Sequence, residues 1–393
     1  MHSTLPPKTS APNTSPSAAQ SESKERPNLL VRLRNLVLSD YFILWLSIAY
    51  FLVLAPFLPT LTNPANLSNL LSNTWPLLAV AVGQTFVLTI AGIDLSQGAV
   101  IGFTSTVMAV LVATSGSANV LEGAPVWGLF IDESGGLFHG LPISVFLSLM
   151  VMLAVGTCVG ALNGLAIAYL RMPPFMMTLV TMIVVSAFAV WLTQSENIGN
   201  LPESLVTLGK GDIISVYFGE QDRSQIPRRE IFSVIGFSAV IAISLAVAAH
   251  ILLNKTVFGR QVIAIGANRK AAEISGVPVK RIIVMVFAIS AFCATVGSIL
   301  YSARLEAGRP TLGEGTFLLD VIGATVIGGT SLFGGKGKII WTVFGVIFFV
   351  LLSNTLNLMN LSTFHIDMAK GGVILCAALL DVARNRYSAE RGL

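Results

Sequence analysis

NKTVFGRQVIAIGANRKAAEISGVPVKR, residues 254–281, is a charged island between long apolar runs, and its reading decides the fold. Lys255, Arg260, Arg269, Lys270, Lys280 and Arg281 fall within it, and Gly259, Gly266 and Gly276 punctuate it. Between the last two glycines, the segment from Asn268 to Ser275 reads as a short helix with an Asn N-cap and a glycine stop. Two turns of helix do not hold alone in water, so this segment requires something to dock against.

Outward from the island the chain is apolar. Of its 393 residues 54% are hydrophobic and only 11% charged, far below the roughly 25% charged content of soluble domains. The composition is that of a polytopic membrane protein. The three cysteines, Cys158, Cys293 and Cys376, lie within apolar runs, where they read as buried small hydrophobes and not as a disulfide, zinc or redox set. The net charge of +4 is accounted for by membrane orientation, so it gives no support to nucleic-acid binding.

Residues 1–28 are rich in Ser, Pro, Thr and Ala without apolar periodicity and are expected to be disordered. They do not read as a signal peptide. Residues 29–38, with Arg32 and Arg34, suit a short interfacial helix. Apolar runs near 41–58, 76–92, 98–115, 143–169 and 173–193 predict five spanning helices, and runs near 231–253, 281–302, 316–331, 339–357 and 366–383 predict five more. The expected fold is therefore all-α, with about ten transmembrane helices in a membrane domain over 39–383 and a C-terminal tail at 384–393.

Ten spans put both termini on one side. Of the 24 Lys and Arg residues, 17 fall on the side of the termini and the island, which makes that side cytoplasmic. Two long loops, 116–140 and 194–230, then face outward, and both are acidic. They could receive a soluble partner, although solvation of the loops is the simpler reading of each charge.

Small and polar residues interrupt several spans, a feature that a bilayer tolerates only beside protein or a water-filled cavity. In Ala91-Gly-Ile-Asp-Leu-Ser-Gln-Gly98, Asp94 or Ser96 is placed to cap the third helix, with contact to a solute as the other reading. Arg171, Pro173 and Pro174 mark the junction before the fifth helix. The third break, residues 327–338, resembles a phosphate loop but fails the pattern. Thr330 stands where the first glycine belongs, and Gly337 follows the Gly-Lys pair in place of Ser or Thr. The chain is thus expected to bind no ATP or other cofactor itself.

Asp320 is the principal ionisable residue predicted inside a span, while Asp40, Asp381, His250 and His365 lie near span ends. That is a sparse set for a proton- or sodium-coupled carrier. No cluster of His, Asp or Glu and no nucleophile with its base marks a membrane enzyme, and no metal site is expected. Gln84, Thr85, Asn163 and Asn354 place amides and hydroxyls within spans, where they could line a polar pathway or hold helices together.

Five motifs in register carry a family resemblance: Ala91-Gly-Ile-Asp-Leu-Ser96 with Gly98; Asn163-Gly-Leu with Pro173-Pro-Phe175; Phe258-Gly-Arg260 with Ala264-Ile-Gly-Ala-Asn268, Ala271-Ala272 and Ser275-Gly276; Ala303-Arg-Leu-Glu-Ala-Gly308; and Leu319-Asp320 with Val326-Ile-Gly-Gly-Thr-Ser-Leu332, Gly334-Gly335 and Gly337. From about residue 40 to 383 the chain resembles the permease subunits of sugar ABC importers of the ribose, xylose, arabinose and galactoside type. The resemblance implies two permease subunits in the inner (plasma) membrane, identical or paralogous, a cytoplasmic ATPase pair, and a periplasmic substrate-binding protein. It makes 254–281 the coupling loop to the ATPase, carried by Gly266, Asn268, Arg269, Lys270, Ala271, Ala272, Ser275 and Gly276. The solute would be a monosaccharide or related polyol. A nucleoside or amino acid importer of the same architecture, and a secondary carrier working alone, are the alternatives. The loops at 116–140 and 194–230 and the N-terminal tail are longer than the family pattern.

Overall fold

The computed structural model describes residues 41–216 and 232–390. The expected disordered tail and interfacial helix, Asp40, the middle of the second long loop with Arg223, Arg228 and Arg229, and the last three residues lie outside the described residues.

A helix covers each of the ten predicted apolar runs: α1 (Phe42–Leu54), α2 (Pro64–Thr89), α3 (Gln97–Val112), α4 (Ser144–Tyr169), α5 (Pro174–Thr193), α7 (Phe237–Lys255), α10 (Val279–Leu305), α11 (Phe317–Gly328), α12 (Ile339–Leu358) and α13 (Thr363–Glu390). Between them lie α6 (Glu203–Lys210), α8 (Val257–Ala267) and α9 (Arg269–Ile274). Among the described residues six helices, α2, α4, α5, α7, α10 and α12, are long and apolar enough to cross a membrane, whereas α1, α3, α8 and α11 are apolar but shorter. The protein is a multi-pass, mostly helical membrane protein.

The interior is built on α2 and α10. From Thr74 onward nearly every residue of α2 is buried, as are Val286, Phe287, Ala291, Ala294 and Leu300 of α10. Gly156, Gly160 and Gly164 form a stripe on α4 that lets it press on α10: a Cβ on Gly160 would stand 2.3 Å from the Phe287 carbonyl oxygen, and one on Gly164 2.6 Å from the Val284 Cα. Small residues allow this approach where lipid offers little hydrophobic drive between helices. Apolar side chains point outward on α4, α5, α7 and α13, including Phe146, Ile183, Trp191, Val247 and Met368. Cys158 and Cys376 share those outward faces, which corrects the expectation of burial for these two, while Cys293 is buried as expected. A helix facing lipid gives a small apolar side chain no reason to turn inward.

Helix α2 begins twelve residues before the predicted run. Asn63 accepts a hydrogen bond from the Ala65 amide at 2.9 Å, and Pro64 starts the helix. Its polar first turns are answered by side chains: Arg304 donates to Asn69 at 2.7 Å and also to Asn73, and Asn66 exchanges amide bonds with Asn354 at 3.1 and 2.9 Å. Helix α7 begins later than expected, because the residues before it pair as a strand.

The all-α expectation is corrected in the two long loops. There β1 (Ile131–Asp132) pairs with β2 (Gly135–Gly136), and β3 (Asp212–Val216) with β4 (Phe232–Gly236), both antiparallel. Leu121, Val126, Ile131, Ile198, Leu201 and Leu205 join Met108, Ala109, Ile299 and Ala303 in a second hydrophobic core over the ends of α3 and α10. Apolar burial, beyond solvation by charge, orders these loops. Ile198 and Gly308 exchange backbone bonds at 2.9 Å, and the Ser134 hydroxyl and amide hold the Asp132 carboxyl below the usual carboxylate range.

Candidate functional site

The island is two helices, not one. Thr256 accepts from the Gly259 amide at 3.3 Å and caps α8, whose Gly259, Val262 and Ile265 face inward. The sequence carried this signal in the capping Thr256 followed by Phe258, Val262 and Ile265 at helical spacing. Phe258 lies against Phe86 of α2, with ring centroids 6.4 Å apart. Asn268 accepts from the Ala271 amide at 3.0 Å and caps α9, and Gly276 ends the turn with φ +81°.

Within α9 the predicted coupling residues take different faces. Ala272 is buried and packs into the core, so it is not offered to a partner. Arg269, Lys270, Ala271, Ser275 and Gly276 are exposed, and a Cβ on Gly276 would meet nothing within 4 Å. Gly266 points the other way, against Thr89 at the end of α2 and Gly335.

That contact joins three irregular segments. The backbone leaves α2 through Ala91 at φ +59°, and the loop after α11 turns at Gly329, Gly334 and Gly335 with φ of +117°, +83° and +73°. The Gly335 amide donates to the Thr89 carbonyl at 2.9 Å, and a Cβ on Gly334 would lie 2.8 Å from that of Ala91. Asp381, expected near a span end, accepts from the Ser331 hydroxyl at 3.1 Å and the Leu332 amide at 3.3 Å. The loop that resembles a phosphate loop thus directs these amides to the Thr89 carbonyl and the Asp381 carboxylate. Island, first helix break and glycine loop meet at one junction.

Asp94 and Ser96 lie above the junction in a buried network. Ser96 occupies the N-cap position of α3 without a capping bond from its side chain. Instead its amide and hydroxyl donate to Asp94 at 2.9 and 2.6 Å, and the Ser290 hydroxyl of α10 donates to the second carboxylate oxygen at 2.7 Å. Asn163 donates to the Ser96 hydroxyl at 3.0 Å and accepts from Thr181 at 2.5 Å, while Gln97 donates to Ser290 at 2.9 Å. One carboxylate thereby ties α3, α4, α5 and α10 together, which simple capping would not achieve. Ser290, Gln97 and Thr181 were not singled out from sequence, because their partners lie up to 196 positions away.

The predicted pathway residues divide. Thr85 is bonded to Thr342 at 2.6 Å, Asn354 to Asn66, and Asn163 to the Asp94 network. Only Gln84 of these is fully buried with neither its amide oxygen nor its nitrogen partnered. Asp320 accepts from Lys370 of α13 at 2.8 Å, with side chains 18% and 12% exposed, so the ionisable residue predicted within a span is paired.

The sequence profile of the family described as "Branched-chain amino acid transport system / permease component" matches residues 66–378. The chain is 31% identical over 331 residues to the ribose import permease protein of Haemophilus influenzae, covering 82% of this chain and 87% of that one. It is 30% identical to the galactose/methyl galactoside import permease protein of Salmonella typhimurium, covering 82% and 88%, and 28% identical to the xylose transport system permease protein of Haemophilus influenzae, covering 82% and 90%. No solved structure matches the chain.

Proposed function

Since the chain belongs to the permease family of ABC importers, we propose that it is the membrane-spanning subunit of an ATP-driven importer carrying a monosaccharide or related polyol. The observation that carries the mechanism is the packing of Gly266 against both Thr89 and Gly335. A displacement of α9 by a partner passes through α8 to the end of α2 and to the glycine loop without an intervening flexible side chain. Backbone contact transmits displacement because packed interiors are close to incompressible. In this reading the island is cytoplasmic and both termini lie on its side, ATP is hydrolysed in a separate ATPase subunit, and a periplasmic binding protein delivers the solute at the long-loop end. The assembly contains a second permease, identical or paralogous, in the inner membrane. All ten helices cross, with α3 a short helix that starts at the first break and α11 a short helix that ends at the glycine loop.

Ala271, Lys270, Ser275 and Gly276 form the surface offered to the ATPase. Gln84 is the amide placed to meet a hydroxylated solute, since a buried amide without a partner is costly unless water or solute satisfies it. Gly276→Trp tests the coupling role: ATP hydrolysis by the assembled complex should continue while solute uptake falls, with the permease still folded. Full uptake in that variant would remove α9 from the mechanism.

The family description favours a second solute class, a branched-chain amino acid. Its test is whether a sugar-loaded or an amino-acid-loaded binding protein stimulates hydrolysis.

A further inference from the structure

A cavity of about 240 Å3 opens where the turn between α4 and α5 meets α9 and the start of α10. Its floor is apolar, with Ile167 and Val279, and its walls carry Arg171, Arg269, Lys280 and Glu273. Three cations therefore face one carboxylate. Among the described residues none of the four reaches a counter-ion within 4 Å. Like charges gathered without partners are unfavourable, and an anion of matching size relieves them.

The surroundings identify the anion. Lys280 Nζ lies 5.2 Å from the centre of the Tyr169 ring, and Leu170, Phe175 and Met176, close in sequence to the cavity's Arg171 and Met172, are exposed apolar residues at the end of α4 and the start of α5. An amphipathic tyrosine with apolar neighbours on one side and basic groups on the other is the pattern of a bilayer interface. Arg171 adopts φ +57°, a left-handed conformation that Gly or Asn would adopt more readily at this turn. The two faces of α9 are also distinct. Arg269 and Glu273, four residues apart, line the cavity, whereas Lys270 does not and Ile274 is 80% exposed.

We infer that this cavity binds the phosphodiester headgroup of an anionic phospholipid, which ties the coupling helix α9 to the membrane surface at the α4–α5 turn. The inference rests on the permease reading, in which this end of the bundle meets the bilayer surface. The lipid acts as a fixed pivot: it holds the Arg269 face of α9 while the opposite face moves with the ATPase. Basic pockets between membrane helices suit such headgroups, and an acidic protein partner would leave the apolar rim unexplained.

The test is native mass spectrometry of the full chain, with its co-purifying subunits, extracted from vesicles of equal parts phosphatidylglycerol and phosphatidylcholine. The wild type should retain phosphatidylglycerol with at least about tenfold enrichment. Arg171→Gln/Lys280→Gln should bring retention near parity, Lys280→Gln alone, which leaves the turn intact, should fall between, and Lys270→Gln should match wild type. No enrichment, or enrichment unchanged in both Lys280 variants, overturns the inference. Displacement of the lipid by millimolar inorganic phosphate with a phosphate adduct in its place assigns the cavity to a soluble anion and also overturns it. So does loss of a co-purifying subunit from the double variant with lipid retention unchanged, which assigns the cavity to a protein partner. Bound mass is read whatever solute is carried, so failure here leaves the importer reading standing, and failure of stimulated transport leaves the lipid count interpretable.

Discussion

Gly266 and Thr89 touch backbone to backbone: a Cβ on Gly266 would stand 1.8 Å from the Thr89 carbonyl oxygen, and 2.5 Å from the Gly335 amide nitrogen that donates to the same carbonyl. A residue in the middle of the island, at the end of α8, is therefore also the residue on which the first helix break and the glycine loop rest. Gly266→Ala cannot be accommodated without parting α8 from α2. The expected cost is about 1–3 kcal/mol of stability, with solute carried per ATP hydrolysed falling at least about tenfold if coupling follows the contact. Uptake and hydrolysis measured together check this, and Gly371→Ala, on α13 where a Cβ meets nothing within 4 Å, should leave both near wild type.

Asp320 and Lys370 answer one another between α11 and α13 at 2.8 Å. Asp320→Asn leaves the ammonium without its counter-ion, at a cost of about 3 kcal/mol for so largely buried a pair. The melting temperature in detergent should fall, and Asp320→Asn/Lys370→Met should recover most of it. Uptake by the double variant should persist, whereas a carrier that used Asp320 for ion coupling would lose it.

Asp94 accepts three hydrogen bonds from two serines. Asp94→Ala orphans the Ser96 amide and two hydroxyls, each worth about 1–3 kcal/mol when buried. Asp94→Asn keeps an acceptor for Ser96 and lets the Ser290 hydroxyl turn to accept. Thermal denaturation should rank wild type above Asp94→Asn and Asp94→Asn above Asp94→Ala. Equal damage from the two would mean that the negative charge itself is used.

Gln84 carries two buried polar atoms without partners. Gln84→Leu should therefore hold or raise stability, since it removes unsatisfied groups, while uptake falls if the amide meets the solute or its water. Wild-type uptake in Gln84→Leu would take Gln84 off the pathway.

The parts of the chain legible in sequence were those governed by local pattern. Apolar runs located the helices, the Asn268 cap and Gly276 stop located α9, and the motifs around Asp94 and Gly266 carried the family. The start of α2 was hidden because Asn66, Asn69 and Asn73 look like loop residues until Asn354 and Arg304, far away in sequence, answer them. Helix α8 was obscured by the basic charge around it, although its cap and spacing were present. The Asp94 network could not be read, because Ser290 and Asn163 reach the same carboxylate and serine only through the packing of α4 and α10. The Ile198–Gly308 pairing that seats the second long loop is likewise long-range.

The central claim is that a soluble ATPase drives this permease through the island. Its most direct test is purification of the chain in mild detergent after co-expression with its neighbouring genes, followed by assay of bound ATPase and of hydrolysis stimulated by a sugar-loaded binding protein. The account predicts a co-purifying ATPase whose stimulated activity, reconstituted in vesicles, moves sugar and becomes uncoupled in Gly266→Ala. A chain that carries no ATPase and moves solute into liposomes down a proton gradient would contradict it.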